Sequence, residues 1–352
     1  MLIFTNKTDI LVKRVVLTLF FAVLALLLVT GCKDMAASES AASGNWELMP
    51  PEGFCVDTVS IDTMCVRNPY ILFDHDTDMY YMVADGGYMW RSRDLTLWNG
   101  PYDILRYDTA SWVGGSPAVT SPEIHKYRNR YYYMATFEPA SGSPVGKSSV
   151  ALVADNITGP YMTIDREAVL LDAREVAVDP TFCTDYLNVG YMIYCHDGRQ
   201  NGDAAVQIIR FTENLGRRMG EAYTMFNASQ VPWSGGTVDG KRKFSPIIES
   251  PCLFHCGEDV MGMLFTTYKE GEKRVGVAYS ETGTLNGPWV VEGEPLVDED
   301  VGGAMLFKDY DGTLVMVVEK DTFAGGVARS VPRLIKCDSQ FDKLQTKGNY
   351  KF

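Results

Sequence analysis

An all-β fold built from five repeats is predicted by three features of this 352-residue sequence. A two-strand motif recurs at long, fairly even spacing. The composition, with 19 Tyr, 16 Phe, 32 Gly and 16 Pro, favours short strands joined by tight turns. No apolar period of 3.6 residues competes over a comparable length.

The motif is a short apolar run after a proline, a turn, and a second run rich in aromatic residues. The first copy is Pro69-Tyr70-Ile71-Leu72-Phe73 with Tyr80-Tyr81-Met82-Val83-Ala84. The second pairs Pro122-Glu123-Ile124-His125 with Tyr131-Tyr132-Tyr133-Met134-Ala135, and the third Pro180-Thr181-Phe182-Cys183 with Gly190-Tyr191-Met192-Ile193-Tyr194. The fourth pairs Pro251-Cys252-Leu253-Phe254 with Met261-Gly262-Met263-Leu264-Phe265. In the fifth, Ala304 replaces the proline before Met305-Leu306-Phe307, and Leu314-Val315-Met316-Val317-Val318 follows. The copies are 53, 58, 71 and 53 residues apart. Third strands are expected at Met89–Ser92, Ser149–Ala154 and Val275–Ser280, and Gly-Pro pairs at Gly100-Pro101, Gly159-Pro160 and Gly287-Pro288 punctuate turns near an outer fourth strand. Five units of three or four strands predict a five-bladed β-propeller over residues 49–352. Two tandem β-sandwiches, the competing architecture, would lack this fivefold register.

The N-terminus predicts export. Lys7, Lys13 and Arg14 precede an uncharged apolar run from Val15 to Val29, about as long as a signal-peptide core and shorter than the ~20 residues of a spanning helix. Val29-Thr30-Gly31-Cys32 then resembles a bacterial lipobox. Residues 1–31 are thus expected to be a lipoprotein signal peptide, Cys32 the lipidated residue, and 32–48, with its Ala/Ser-rich stretch, a flexible tether. An ordinary secretory signal with an incidental cysteine is the alternative. The lipid would be the chain's only hold on a membrane, on the outer side of the cytoplasmic barrier.

A formal net charge of −13 and the lack of a basic run argue against nucleic acid or an anionic membrane surface as partner. Seven cysteines follow Cys32, an odd number without a CxxC pair. Cys252 and Cys256 near His255, and Cys195 beside His196, sit in apolar strand-like runs whose neighbours alternate faces, so they read as core cysteines rather than metal ligands.

In a propeller the innermost strands line a central channel, and the residues entering them converge at one mouth. Here these are Asn68, Ser121, Asp179, Ser250 and Gly303, with Glu249 one step before Ser250 and Glu123 one step inside Pro122. Carboxylates converging from separate blades suit glycoside hydrolysis, which needs an acid for the leaving oxygen and a base for the attacking water.

These stretches resemble glycoside hydrolase family 43, the arabinan- and xylan-cleaving five-bladed propellers. The resemblance rests on Arg67-Asn68-Pro69-Tyr70-Ile71-Leu72, Ser121-Pro122-Glu123-Ile124-His125-Lys126, Val178-Asp179-Pro180-Thr181-Phe182, Glu249-Ser250-Pro251-Cys252-Leu253 and Gly302-Gly303-Ala304-Met305-Leu306-Phe307. Each is weak alone; five in order at blade spacing are specific. The resemblance implies an inverting hydrolase of arabinosides or xylosides in plant-type glycans, with Glu249 as general acid and Asp179 as the carboxylate that raises its pKa. The family's base aspartate is replaced by Asn68, whose amide cannot take a proton from water. The family's fifth-blade histidine, which helps hold an axial cation or water, is replaced by Gly303, so no cofactor is expected and an axial Ca2+ is disfavoured. The second blade carries Val119-Thr120-Ser121 where an aromatic often precedes Pro-Glu.

Arg67, Glu123, Trp112 and Trp233 are the expected sugar-binding residues, the two tryptophans because they lie in Gly/Ser/Pro-rich loops. Two other functions fit the same residues. A non-catalytic glycan-binding propeller is favoured by Asn68 and Gly303. A glycoside phosphorylase-like propeller would need no base but would need cations at the channel mouth. Loss of a base removes a factor of ~10²–10⁴ in rate, so Asn68→Asp is expected to raise hydrolysis on this reading. The Cys32→Ser variant is expected to leave the membrane fraction for the soluble one, and retention on membranes at high salt would rule out the lipid anchor.

Overall fold

The computed structural model describes residues 47–139, 146–165, 176–196, 198, 202–238, 241–256, 260–324, 327–340 and 343–351. The predicted signal segment, Cys32 and all but the last two residues of the tether lie outside them. No helix of the described residues is long and apolar enough to cross a membrane.

Five antiparallel sheets, each a simple meander, follow one another in the chain as the fivefold register predicts. Blade I consists of Tyr70–Asp74, Met79–Ala84, Tyr88–Ser92 and Leu97–Asp103, and Asp57–Ser60 pairs with its outer edge. Blade II is Ala118–Tyr127, Arg130–Glu138, Ser148–Ala154 and Tyr161–Thr163, edged in parallel by Leu105–Arg106. Blade III runs through Ala177–Thr184, Gly190–His196, Ala205–Phe211 and Arg218–Asn227. Blade IV is Glu249–Cys256, Val260–Lys269, Glu272–Ser280 and Trp289–Val291, and blade V is Gly302–Lys308, Leu314–Ala324, Val327–Gln340 and Lys343–Asn349. The long third step of the repeat has a physical source: a 3-10 turn at Ala228–Gln230 and a hairpin of Gly236–Val238 with Lys241–Lys243 are inserted between blades III and IV.

The inner strands of each blade are covered on both faces by neighbouring blades, which is why they read as continuous apolar runs. In blade II, Tyr131 to Phe137 and all of Ser148–Ala154 are buried. Each core cluster spans an interface between blades. One joins blades I and II and reaches blade III, a second joins III and IV, and a third joins blade I with IV and V. The buried cysteines Cys183, Cys195, Cys252, Cys256 and Cys337 are in no disulfide in this packing, nor are the exposed Cys55 and Cys65.

The ring closes without a shared strand, because blade I and blade V are each made of one continuous stretch of chain. Packing of Ile71, Met82 and Trp98 against the blade V cluster around Val315, Val317 and Ile335 makes the seam. A polar clasp reinforces it: the hydroxyls of Tyr80 in blade I and Tyr350 at the chain's end both donate to buried Asp309, and Val66 N–H donates to Ser330 O at 3.0 Å. Removing the shared acceptor leaves the buried Tyr80 O–H without the group it donates to, while its oxygen still accepts Tyr310 N–H at 3.2 Å; an unmet buried donor typically costs about 1–3 kcal/mol. Asp309→Ala is therefore expected to lower the unfolding free energy by about that amount in urea titration. Tyr80→Phe, which removes the donor instead, is expected to cost less.

Candidate active site at the mouth of the central channel

The five residues that enter the innermost strands share one unusual backbone state. Asn68, Ser121, Asp179, Ser250 and Gly303 have φ of 49°, 50°, 54°, 52° and 59°. A left-handed residue with a side chain costs ~1–2 kcal/mol, and Asn, Asp and Gly adopt it most readily. In blades II to V the ladder with the second strand slips at this point, so the left-handed residue and its successor form a bulge. In four blades that successor is a proline, which has no ladder donor to lose.

Bulging frees the N–H of each left-handed residue, and each finds a side-chain acceptor. Asn68 N donates to Glu319 Oε2 at 3.0 Å, and Ser121 N to Asp85 Oδ1 at 2.8 Å. Asp179 N donates to Thr136 Oγ1 at 2.9 Å, and Gly303 N to Thr266 Oγ1 at 3.0 Å. In these four cases the acceptor comes from the preceding blade, immediately after its second-strand run. Blade III has Cys195 at that position, opposite Val178. There the carboxylate of Asp179 itself receives Ser250 N, with Oδ2 at 3.0 Å, while its Oδ1 takes the Ser121 hydroxyl at 2.6 Å. Asp179 thus ties blades II, III and IV together at the mouth.

Glu249 stands beside Ser250 and is half-buried. Burial first, and the nearby Asp179 second, push its carboxyl up to about 7; Glu319 adds to this, while Lys273 and Arg67 oppose it. Lys273 Nζ is committed to Glu319 Oε1 at 2.7 Å and Asp321 Oδ2 at 3.0 Å. Arg67, more exposed, lies 3.5 Å from the same Glu319 oxygen. Across from Glu319, Asn68 Nδ2 donates to Asp85 Oδ1 at 2.9 Å. Burial raises the Asp85 carboxyl above its usual range, partly offset by its bonds from Asn68 and Ser121.

The predicted site residues therefore divide. Asn68 and Asp179 line one cavity with Ser121, Ser250 and Gly303, and Glu249 and Arg67 adjoin it. Glu123 lines the same cavity, one step beyond Pro122 into the strand, and is held by His125 Nε2 at 2.6 Å. Trp112 is half-buried against the blade I and II core. Trp233 does not suit a sugar platform: it is 6% exposed, its ring stacks on Phe265 with centroids 6.3 Å apart, and its Nε1 donates to Glu292 O at 3.2 Å. A Gly/Ser/Pro-rich flank marked a loop there, but the indole plugs the interface between blades III and IV. Asp85, Lys273 and Glu319 were not anticipated. Asp85 and Glu319 each follow directly on a recognised second-strand run, so extending the repeat register by one residue would have found them.

The axial cavity measures about 30 Å³, far below the ~300–1,000 Å³ of a typical ligand pocket. Calcium takes about six to eight oxygen ligands. The cavity wall is mainly proline, tyrosine and aliphatic carbon; its deeper carboxylate, Glu123, is already bonded to His125, and Gly303 contributes no side chain. These residues do not fit an axial calcium.

Among curated proteins no sequence matches this chain. The family model for Glycosyl hydrolases family 43 matches residues 63–322. Among solved structures, an endo-arabinase from Bacteroides thetaiotaomicron is 25% identical, with a TM-score of 0.71 over 81% of this chain and 98% of that one. An endo-1,4-beta-xylanase from the same organism is 17% identical, with a TM-score of 0.64 over 84% and 97% of the two chains. An alpha-L-arabinofuranosidase from Lactobacillus brevis is 15% identical, with a TM-score of 0.60 over 81% and 96%. The last two support the fold alone. With the family match running from blade I into the second strand of blade V, and five mouth residues in one backbone register, the chain belongs to glycosyl hydrolases family 43.

Proposed function

We propose that this chain is an exported, lipid-anchored glycoside hydrolase that cleaves arabinosides or xylosides of plant-type glycans with inversion. Glu249 is the general acid, Asp179 the carboxylate that keeps it protonated, and Asn68 occupies the place of the base. The observation that carries this reading is the pairing of Glu249 with Asp179. A half-buried carboxyl pushed up to about 7 beside a second carboxylate fixed by two hydrogen bonds is what proton donation to a leaving oxygen requires. The pentose preference is supported by the endo-arabinase among the similar structures.

In the reaction, Glu249 donates its proton to the glycosidic oxygen as the bond to the anomeric carbon breaks. A water on the opposite face adds to that carbon and must lose a proton. In inverting enzymes that water fits between two carboxyl groups about 6.5–9.5 Å apart. Asn68 can accept a hydrogen bond from it but not its proton, which must pass to a solvent water, so turnover is slow. The phosphorylase-like reading lacks support, since both cations near the mouth are compensated by Glu319 and Asp321. A glycan-binding propeller remains the second reading, favoured by Asn68 itself.

Hydrolysis of arabino- or xylo-oligosaccharides, followed by reducing-sugar release, is expected to be slow. It should decline as pH rises through about 7, where Glu249 loses its proton, and fall a further ~10²–10⁴-fold in Glu249→Gln. Brisk turnover insensitive to Glu249→Gln would refute the assignment, and calorimetric binding without any turnover would favour the binding module.

Stability gives an independent check. The folded-state pKa of Glu249 lies above its ordinary 4.5, so its contribution is fully present below about pH 4.5 and is lost as pH rises through about 7. Relative to the wild type, Glu249→Gln is expected to gain on the order of 2 kcal/mol at about pH 8 and nothing at about pH 4, measured by chemical denaturation.

A further inference from the structure

We infer that Asn68 and Asp85 form an exchanged amide–carboxylate pair, in which Asp85 is a positioning residue that fixes the Asn68 amide with its carbonyl toward the channel axis and holds position 68 to an uncharged side chain. The geometry of the pair stands by itself; its consequence for turnover rests on the hydrolase reading above.

Asp85 is anchored before it meets Asn68. Its N–H donates to Arg67 O at 3.0 Å, and its Oδ1 receives Ser121 N of the next blade at 2.8 Å. The same Oδ1 lies 2.9 Å from Asn68 Nδ2. Only the donor end of an amide can face a carboxylate oxygen, so the Asn68 carbonyl must turn the other way. It turns toward Gly303, where a Cβ would stand 3.5 Å from Asn68 Oδ1. Asn68 therefore offers the axis an acceptor in a fixed orientation, with an empty side-chain position opposite.

An aspartate at position 68 would meet a different situation. Two carboxylate oxygens at hydrogen-bond distance cannot both carry charge, so one proton must be retained between them. The surroundings would not relieve this. Glu319 of blade V, which accepts Asn68 N–H, adds negative charge, and Arg67 supplies the cation facing both. From blade II the buried Tyr133 faces Asp85, and its hydroxyl has no hydrogen-bond partner in the structure. The restored base would thus sit partly protonated against Asp85. The expectation from sequence that Asn68→Asp alone rescues hydrolysis changes accordingly: rescue needs the amide moved to position 85.

The test uses four full-length proteins: the wild type, Asn68→Asp, Asp85→Asn and the double variant. Thermal unfolding is followed from about pH 4 to about pH 8, and hydrolysis of arabino- and xylo-oligosaccharides in parallel. In Asn68→Asp the pair retains a proton in the folded state, so its melting temperature should fall as pH rises, relative to the wild type. The double variant should recover wild-type pH dependence and exceed Asn68→Asp in turnover by at least ~10-fold, a part of the ~10²–10⁴ that a fully ionised general base contributes. A Asn68→Asp protein that folds at about pH 4 but not at about pH 8, alongside a double variant that folds at both, supports the pair equally. Recovery of pH dependence with no hydrolysis in any variant leaves the pair standing and refutes the hydrolase reading. Equal stability of Asn68→Asp and the double variant at every pH overturns the pair.

Discussion

The hydrogen bond from each left-handed residue to a side chain at the channel mouth is the constraint on which the rest of the site depends. Without it, five left-handed residues, four of them carrying side chains, would each present an unpaired N–H at the channel mouth. Because the acceptor comes from the preceding blade in four cases, local strain in one sheet is relieved only when its neighbour is in place. The chemistry and the assembly of the ring thus share one set of contacts. Asp179 is the sharpest case, since its two oxygens satisfy Ser121 and Ser250 while its charge acts on Glu249.

The charges at the mouth fall into two groups. Around Glu249, burial and Asp179 favour the protonated acid, and the cations that would oppose it are drawn off by Glu319 and Asp321. Around Asn68, the same Glu319 and the half-buried Asp85 leave one exposed cation, Arg67, against two carboxylates. One half of the mouth favours a protonated carboxyl at Glu249, and the other half disfavours an additional negative charge at position 68. An uncharged Asn68 is therefore consistent with its surroundings.

Much of this was legible in the sequence because the repeat unit is also the structural unit. Pro69, Pro122, Pro180, Pro251 and Ala304 mark equivalent strands, and the residues before them share one backbone state. Strand alternation gives the side of the sheet, and the repeat gives the end of the channel. Asp85 and Glu319 were missed for a specific reason: the second strands were read to the end of their apolar runs at Ala84 and Val318, and the polar residue that follows looks like a turn. Its partner is in another blade, and a repeat read one copy at a time does not reveal contacts between copies. Trp233 failed in the opposite direction, because a loop-like flank says nothing of where an indole packs.

The seam between blades I and V carries a further implication. A ring closed by side-chain packing, the Asp309 clasp and the bond from Val66 N–H to Ser330 O, with no strand shared between the last blade and the first among the described residues, concentrates any breathing of the toroid at one joint. Asn68 belongs to blade I and the Glu319 that receives its N–H belongs to blade V, so this joint runs through the channel mouth. The spacing between Asn68 and the opposite wall is thereby tied to how tightly the toroid is shut.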